Sequence, residues 1–294
     1  MTRRAFLATA TATASAGLLA AQDDIPVIDI HQHTPYSGRG PDDLVQHQRD
    51  MGVTRTVLLP AGRRLGLAAD AGGNDVCSAL RDRYPDEFIC FANELPDIPE
   101  TRQVLEKYLK RGAIGIGEQK FPVESDSKSI ELVASIAKEY DVPVLLHFQH
   151  EAYNFHLGNF HKILEKFPTV NFIGHAQTWW GNIDKNHKQE ILYPTGKVTP
   201  GGISDRYLSD YPNMFGDLSA GSGRNSLARD EEHAKAFLMR HQDKLLFGSD
   251  CSDPKAGSEK CIGVPTLAIV RRLVTDKAAL RKILHDNAKK IMRV

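Results

Sequence analysis

Histidine and acidic side chains recur at the ends of apolar segments in this chain. Val27-Ile28-Asp29-Ile30-His31-Gln32-His33 ends in His-x-His, and Val142-Pro143-Val144-Leu145-Leu146-His147 ends in His. Val170-Asn171-Phe172-Ile173-Gly174-His175 also ends in His, and Lys244-Leu245-Leu246-Phe247-Gly248-Ser249-Asp250 ends in Asp. A fifth segment, Ala113-Ile114-Gly115-Ile116-Gly117-Glu118-Gln119-Lys120, carries Glu and Lys at its end. Imidazoles and carboxylates brought together suit Zn or a similar divalent ion. Such an ion activates water near neutral pH and polarises a carbonyl. Side chains alternate along a strand, so Asp29, His31 and His33 are expected on one face. The chain holds 12 histidines, so a His-x-His pair gains its weight from standing at a strand end. His47, His161, His187 and His241 read as solvated or helix-end residues.

These groups meet only if the elements carrying them end at one place. Apolar runs with strand character begin near Val27, Thr54, Phe88, Ala113, Val142, Val170, Met214 and Lys244. Between them, apolar residues fall at three- and four-residue intervals, as at Leu132, Ile136 and Tyr140, which predicts helices. The helical stretches are Asp42–Met51, Asp75–Tyr84, Glu100–Lys110, Ser127–Tyr140, Gly158–Phe167, Ser204–Tyr211, Asp230–His241 and Thr266–Val274, with a further one over Lys277–Met292. Tyr84-Pro85, Phe167-Pro168 and Tyr211-Pro212 each close a helix, because proline cannot continue one and biases its predecessor to extended geometry. Strand and helix alternating in this way predict a (β/α)8 TIM barrel with an extra C-terminal helix, whose strand ends share one mouth. A doubly wound sheet loses its main support, since no G-x-G-x-x-G follows the first strand. The connection from Gln177 to Ser204 is long for a barrel loop, and with Trp179 and Trp180 it is expected to form a lid or substrate wall.

Composition narrows the class. The chain has 294 residues, is 41% hydrophobic and 25% charged, and carries a formal net charge of zero. That is an ordinary globular balance with no net basic field to recruit nucleic acid or an anionic membrane. Four cysteines in a chain of this length do not make a disulfide scaffold. Arg3-Arg4 before Phe6-Leu7 and a weakly apolar run to Ala21 resembles a twin-arginine export signal, too short and polar for a stable membrane anchor. Residues 1–21 are therefore expected to be removed. Residues 22–294 are expected to form one domain in a periplasmic or extracellular setting. That setting permits a disulfide between Cys251 and Cys261, while Cys77 and Cys90 read as buried apolar residues.

In order, His-x-His, Glu/Lys, His, His and Asp resemble the amidohydrolase superfamily of metal-dependent hydrolases. Ile283-Leu284-His285-Asp286-Asn287-Ala288-Lys289-Lys290-Ile291 is similar to the terminal helix of its amidohydrolase-related group, and Phe247-Gly248-Ser249-Asp250 to its eighth strand. The resemblance spans the chain after the signal and is specific for superfamily, not for substrate. It implies that His31 and His33 bind one metal ion, and that Asp250 binds the same ion and takes a proton from its water. It implies that His147 completes a mononuclear site or sits on a second ion, and that His175 binds a second ion or serves as a base. At the fourth strand, relatives use either a carboxylated lysine or a glutamate. Gly117-Glu118 resembles the glutamate branch, leaving Lys120 as a substrate-side cation. Zn is the favoured ion, in one or two copies. Arg224 is expected to clamp a substrate carboxylate, and Trp179 to wall the site. The implied activity is hydrolysis of an amide, lactone or ester bond of a small molecule. Rival readings are a metal-dependent decarboxylase of a small aromatic or unsaturated carboxylic acid, a TatD-like nuclease, and a barrel retained for binding alone. An oligomer is compatible with all of them.

Overall fold

A computed structural model of the chain describes residues 24–62 and 70–294. The expected export signal lies outside them. Among the described residues, no helix is long and apolar enough to cross a membrane.

Among the described residues, eight parallel strands run in sequence order: β1 Ile28–Gln32, β2 Arg55–Leu58, β3 Phe88–Cys90, β4 Ile116–Gln119, β5 Val144–His147, β6 Phe172–His175, β7 Met214–Asp217 and β8 Leu245–Leu246. They pair as β1-β2-β3 and as β4-β5-β6-β7-β8. Backbone bonds close both seams. Ile114 N donates to Cys90 O at 2.9 Å and Gly117 N to Ala92 O at 2.9 Å, while Ile30 N donates to Phe247 O at 3.0 Å and Asp250 N to His31 O at 2.9 Å. Around the barrel lie α1 Pro41–Asp50, α2 Asn74–Arg83, α3 Thr101–Lys110, α4 Lys128–Tyr140, α5 His161–Lys166, α6 Gln177–Gly181, α7 Ile203–Asp210, α8 Ala220–Ala228, α9 Glu231–Arg240, α10 Gly263–Leu273, α11 Lys277–Arg281 and α12 Asn287–Met292. The expected TIM barrel is therefore present, with its strands where the apolar runs placed them.

Two layers of apolar side chains define inside and outside. Ile28, Ile30, Val57, Leu59, Ile89, Phe91, Leu145, Ile173, Phe215 and Leu246 fill the interior, and Ala288, Ile291 and Met292 of α12 join them. Val144, Leu146, Phe172, Met214, Leu245 and Phe247, at the alternate positions, face the helices. This period-two partition is what a packed barrel imposes. The terminal helix is bound to β8 through Asn287, whose Nδ2 donates to Gln242 O at 2.7 Å and Leu245 O at 2.8 Å. Residues Lys282–Asp286 between α11 and α12 form a π turn. It turns the carbonyl of Ile283 outward to accept Phe247 N at 3.1 Å.

Two helices arise where the sequence pattern predicts none. One is α6, at the start of the long connection. Trp179 and Trp180 drive it, because both indoles bury against the outer barrel wall. Gly174 makes the room: a Cβ there would stand 2.4 Å from the Trp179 ring. The other is α8, whose two glycines and two serines favour no helix by propensity. It forms because Ser222, Gly223, Ser226 and Leu227 pack inward.

Candidate metal centre

Strand parity has to be revised before the site is built. Between β1 and β2 the register runs Asp29↔Thr56 and then Gln32↔Leu58, so β1 carries one extra residue. Ile30 and His31 therefore both turn inward, and Asp29 faces the helix layer. The expectation that Asp29 shares a face with His31 and His33 fails for this reason. Asp29 instead accepts bonds from Ser249 N at 2.9 Å, from Gln48 Nε2 at 2.8 Å and from the Ser249 hydroxyl. It ties β1 to the end of β8, and burial pushes its carboxyl up. A second extra residue lies in β4, where Ile116 pairs with Val144 and Gln119 with Leu146. Glu118 turns inward there.

The inward groups converge. His31 Nε2 lies 3.2 Å from His33 Nε2. Glu118 Oε2 lies 3.7 Å from His31 Nε2 and 3.6 Å from His33 Nε2. Asp250 Oδ1 is 3.8 Å and 3.6 Å from the same two nitrogens. On the other side of Glu118, Oε1 is 2.5 Å from His147 Nδ1 and 3.7 Å from His175 Nε2. His175 Nε2 is also 3.8 Å from Asp250 Oδ2. Two buried triads, His31–His33–Glu118 and Glu118–His147–His175, thus share the Glu118 carboxylate.

The donor set fits a divalent cation. Metal–nitrogen and metal–oxygen bonds of about 2.0–2.2 Å set donors roughly 3.3–3.6 Å apart, close to the 3.2–3.8 Å found around His31 and His33. His175 Nε2 is buried with no hydrogen-bond partner, an unusual cost unless a ligand meets it. Charge points the same way. Burial opposes ionisation of Glu118, yet His147 and His31 hold its carboxyl well below the usual range. Asp217 is likewise held low, by His31 and His175 against burial. Burial works against a proton on His31 too, but Asp250 and Asp217 outweigh it and raise its pKa well above the ordinary value. Burial, with His31 beside it, pushes His33 down to about 4. Carboxylates thus stand in a pocket whose imidazoles do not all take protons.

Outer partners aim the rings. Asp217, at the end of β7, places Oδ2 at 2.7 Å from His31 Nδ1 and 3.2 Å from His175 Nδ1. The Ser219 hydroxyl donates to the same Asp217 oxygen at 2.7 Å. His33 Nδ1 donates to Leu59 O at 2.8 Å. With Nδ1 engaged, Nε2 of all three rings faces the centre. Gly248 leaves the space: a Cβ there would meet Asp217 Oδ1 at 2.4 Å. His147 is turned the other way, Nδ1 inward and Nε2 at 3.1 Å from Gln149 Oε1. Tyr36 donates its hydroxyl to Asp250 Oδ1 at 2.7 Å. Buried Arg39 donates to Gln32 Oε1 at 2.6 Å, His33 O at 2.9 Å and Cys251 O at 2.5 Å, joining the loops that follow β1 and β8.

His31, His33, Glu118, His147, His175 and Asp250 are thus brought together. Lys120 stands beside the second triad: its charge acts on His147, and its Nζ lies 5.5 Å from the centre of the Tyr153 ring, which packs edge-on against His147. Two other expected residues are not brought in. Arg224 is an exposed residue of α8. Trp179 is 0% exposed and stacked on Phe148 at 6.2 Å, so it packs the barrel wall from outside and lines no mouth. His47 and His241, expected to be solvated or at helix ends, lie at the ends of α1 and α9 and are buried there. Asp217, Ser219, Tyr36 and Arg39 belong to the site without having been expected there. Asp217 carried a signal, since Met214-Phe215-Gly216-Asp217 is an apolar run that ends on a potential ligand, as the runs ending in His147, His175 and Asp250 do.

Several solved structures share this fold. A TIM-barrel protein from Bordetella bronchiseptica superposes with a TM-score of 0.66 at 15% identity, over 91% of this chain and 98% of its own. A probable 2-pyrone-4,6-dicarboxylic acid hydrolase from Acinetobacter baumannii, with citric acid bound, gives 0.62 at 16% identity over 91% and 99%. A 5-carboxyvanillate decarboxylase from Novosphingobium aromaticivorans, complexed with manganese, gives 0.53 at 14% identity over 85% and 79%. No functionally curated protein matches the chain significantly. The sequence profile described as amidohydrolase matches residues 28–294, which takes in every ligand candidate at the barrel mouth, and the chain belongs to the amidohydrolase family.

Proposed function

We propose that the protein is a metal-dependent hydrolase that cleaves an amide, lactone or ester bond of a small molecule. The observation that carries this reading is Glu118, one carboxylate shared by two buried histidine triads. His31, His33, Glu118 and Asp250 would hold one divalent ion. His147 and His175, with Glu118 between, would hold a second. The nitrogen and oxygen donors suit Zn, and Mn is its competitor. The ions would supply a water nucleophile at neutral pH and polarise the scissile carbonyl.

The chain's own residues divide the remaining tasks. Tyr36 occupies Asp250 Oδ1, which leaves Oδ2 toward His175 to accept the proton of the attacking water. His175, held by Asp217 and Ser219 at Nδ1, keeps its ring fixed beside that oxygen. Asp217 keeps the His31 and His175 tautomers that present Nε2 inward. Trp179 and Arg224 are given no part in the chemistry. Lys120, beside Tyr153 and acting on His147 through its charge, would meet an acidic group of the substrate.

Elemental analysis with a panel of lactones, esters and amides tests the reading. The expected result is about two ions per chain and turnover that chelation abolishes. Release of CO2 from carboxylic acids, with no hydrolysis of any panel member, would overturn it in favour of a decarboxylase. We propose further that residues 1–21 direct twin-arginine export, on the motif Arg3-Arg4 before Phe6-Leu7. Exchange of both arginines for lysine should retain the precursor in the cytoplasm, and unchanged export would refute it.

A further inference from the structure

Behind the mouth, one residue past Asp250, lies a second group of ligating atoms that the chemistry above does not use. His47, Cys251 and Cys261 place one nitrogen and two sulfurs within 4.8 Å of one another. Cys251 Sγ is 3.6 Å from Cys261 Sγ, and Cys261 Sγ is 3.6 Å from His47 Nε2. Both cysteines are free thiols. All three side chains are buried, His47 and Cys251 at 0% exposure and Cys261 at 2%, so soft donors here are shielded from bulk water.

We propose that His47, Cys251 and Cys261 form a separate, sulfur-containing metal site that takes Zn2+ or another borderline-soft cation. Two observations support it besides proximity. Bonds of about 2.3 Å to sulfur and 2.0–2.1 Å to nitrogen span tetrahedral edges of roughly 3.5–3.8 Å, and both measured separations fall in that range. The imidazole is also presented as a ligand. Gln48 Nε2 donates to Asp29 Oδ2 at 2.8 Å and to Thr56 Oγ1 at 2.9 Å, which fixes its amide and turns Oε1 to His47 Nδ1 at 3.1 Å. Nδ1 then carries the ring proton, and the Nε2 lone pair faces the sulfurs. Sulfur donors separate this site from the mouth, whose ligands are all nitrogen and oxygen. An ion here would clamp the loop after Asp250 to α1, and Asp29 links the same Gln48 to Ser249 beside Asp250.

Cobalt distinguishes the two sites, because only this one offers thiolates. Full-length reduced protein, stripped of metal and titrated with Co2+, should show thiolate-to-cobalt charge-transfer absorption. His31→Ala should keep that absorption, while Cys261→Ser should lose it along with about one equivalent of bound ion per chain. Circular dichroism checks that Cys261→Ser folds; should it not, His47→Gln, which keeps the fold's polar contact, should weaken cobalt binding at this absorption alone. Absence of the charge-transfer absorption in the reduced parent would overturn the site. So would its survival in folded Cys261→Ser. Mass spectrometry of alkylated, unreduced protein that finds Cys251 joined to Cys261 would replace the metal with a disulfide.

Discussion

Strands β1 and β4 differ from β5 and β6 in one respect that organises the site. The first pair each carry an extra residue just before the ligand. The second pair run in unbroken register, Val144↔Phe172 through His147↔His175. A regular strand delivers an inward side chain at every second position, so His147 and His175 follow Leu145 and Ile173 on the interior face. A bulged strand delivers two inward neighbours, so the core residue Ile30 and the ligand His31 stand next to each other. The bulged strands supply His31, His33 and the shared Glu118. The regular strands supply only the two histidines of the far triad, His147 and His175. The lesson is an order of dependence: losing a ligand from a bulged strand should empty the centre, and losing one from a regular strand should cost part of it.

The largest effect expected is that of Glu118→Ala or His31→Ala, which should lower metal affinity by orders of magnitude. His147→Ala should instead retain about one of two ions. Metal content after dialysis measures both, and equal losses in His31→Ala and His147→Ala would erase the distinction. Next comes Asp250→Asn. It keeps size and part of the coordination but removes the base, and should reduce kcat by about 10²–10⁴-fold with metal largely retained. Turnover within a few-fold of the parent would move the base to His175, and His175→Asn should then show the large defect.

A smaller effect belongs to Asp217→Asn. Its carboxylate aims one ring from a bulged strand and one from a regular strand. Removing that partner should cost about 10–100-fold in metal affinity or activity, read by competition with a chelator. A loss confined to turnover, with affinity unchanged, would show that the rings hold their aim without it. Smallest is Arg224→Ala, outside both sets of strands. Arg224 is exposed, so unfolding stability should change by no more than about 0.5 kcal/mol and kcat/KM should stay near the parent value. A rise of KM for acidic substrates alone would restore Arg224 as a substrate clamp.

Much of this protein is legible in its amino-acid sequence. Apolar runs and helix-period segments determined eight strands, their order and the barrel, because burial enforces those periods locally. Ligand candidates were legible for the same reason, since a strand that ends in His or Asp breaks its apolar pattern visibly. What failed was inference across a bulge. Asp29 sits two residues from His31 and faces the other layer, because the extra residue is defined only by pairing with β2. Trp179 failed differently. A tryptophan pair in a long connection reads equally as a substrate wall or as core packing, and the slot that Gly174 on β6 leaves for Trp179 decides for packing, a match that exists only between two elements. Asp217, Ser219 and Arg39 act through partners far away in the chain, and hydrogen bonds of that kind leave no periodic trace. The sequence determined which groups are available and which end of the barrel holds them. Only tertiary structure decided which nitrogen of each ring faces inward, and that Glu118 serves two triads, because both depend on distances across the barrel.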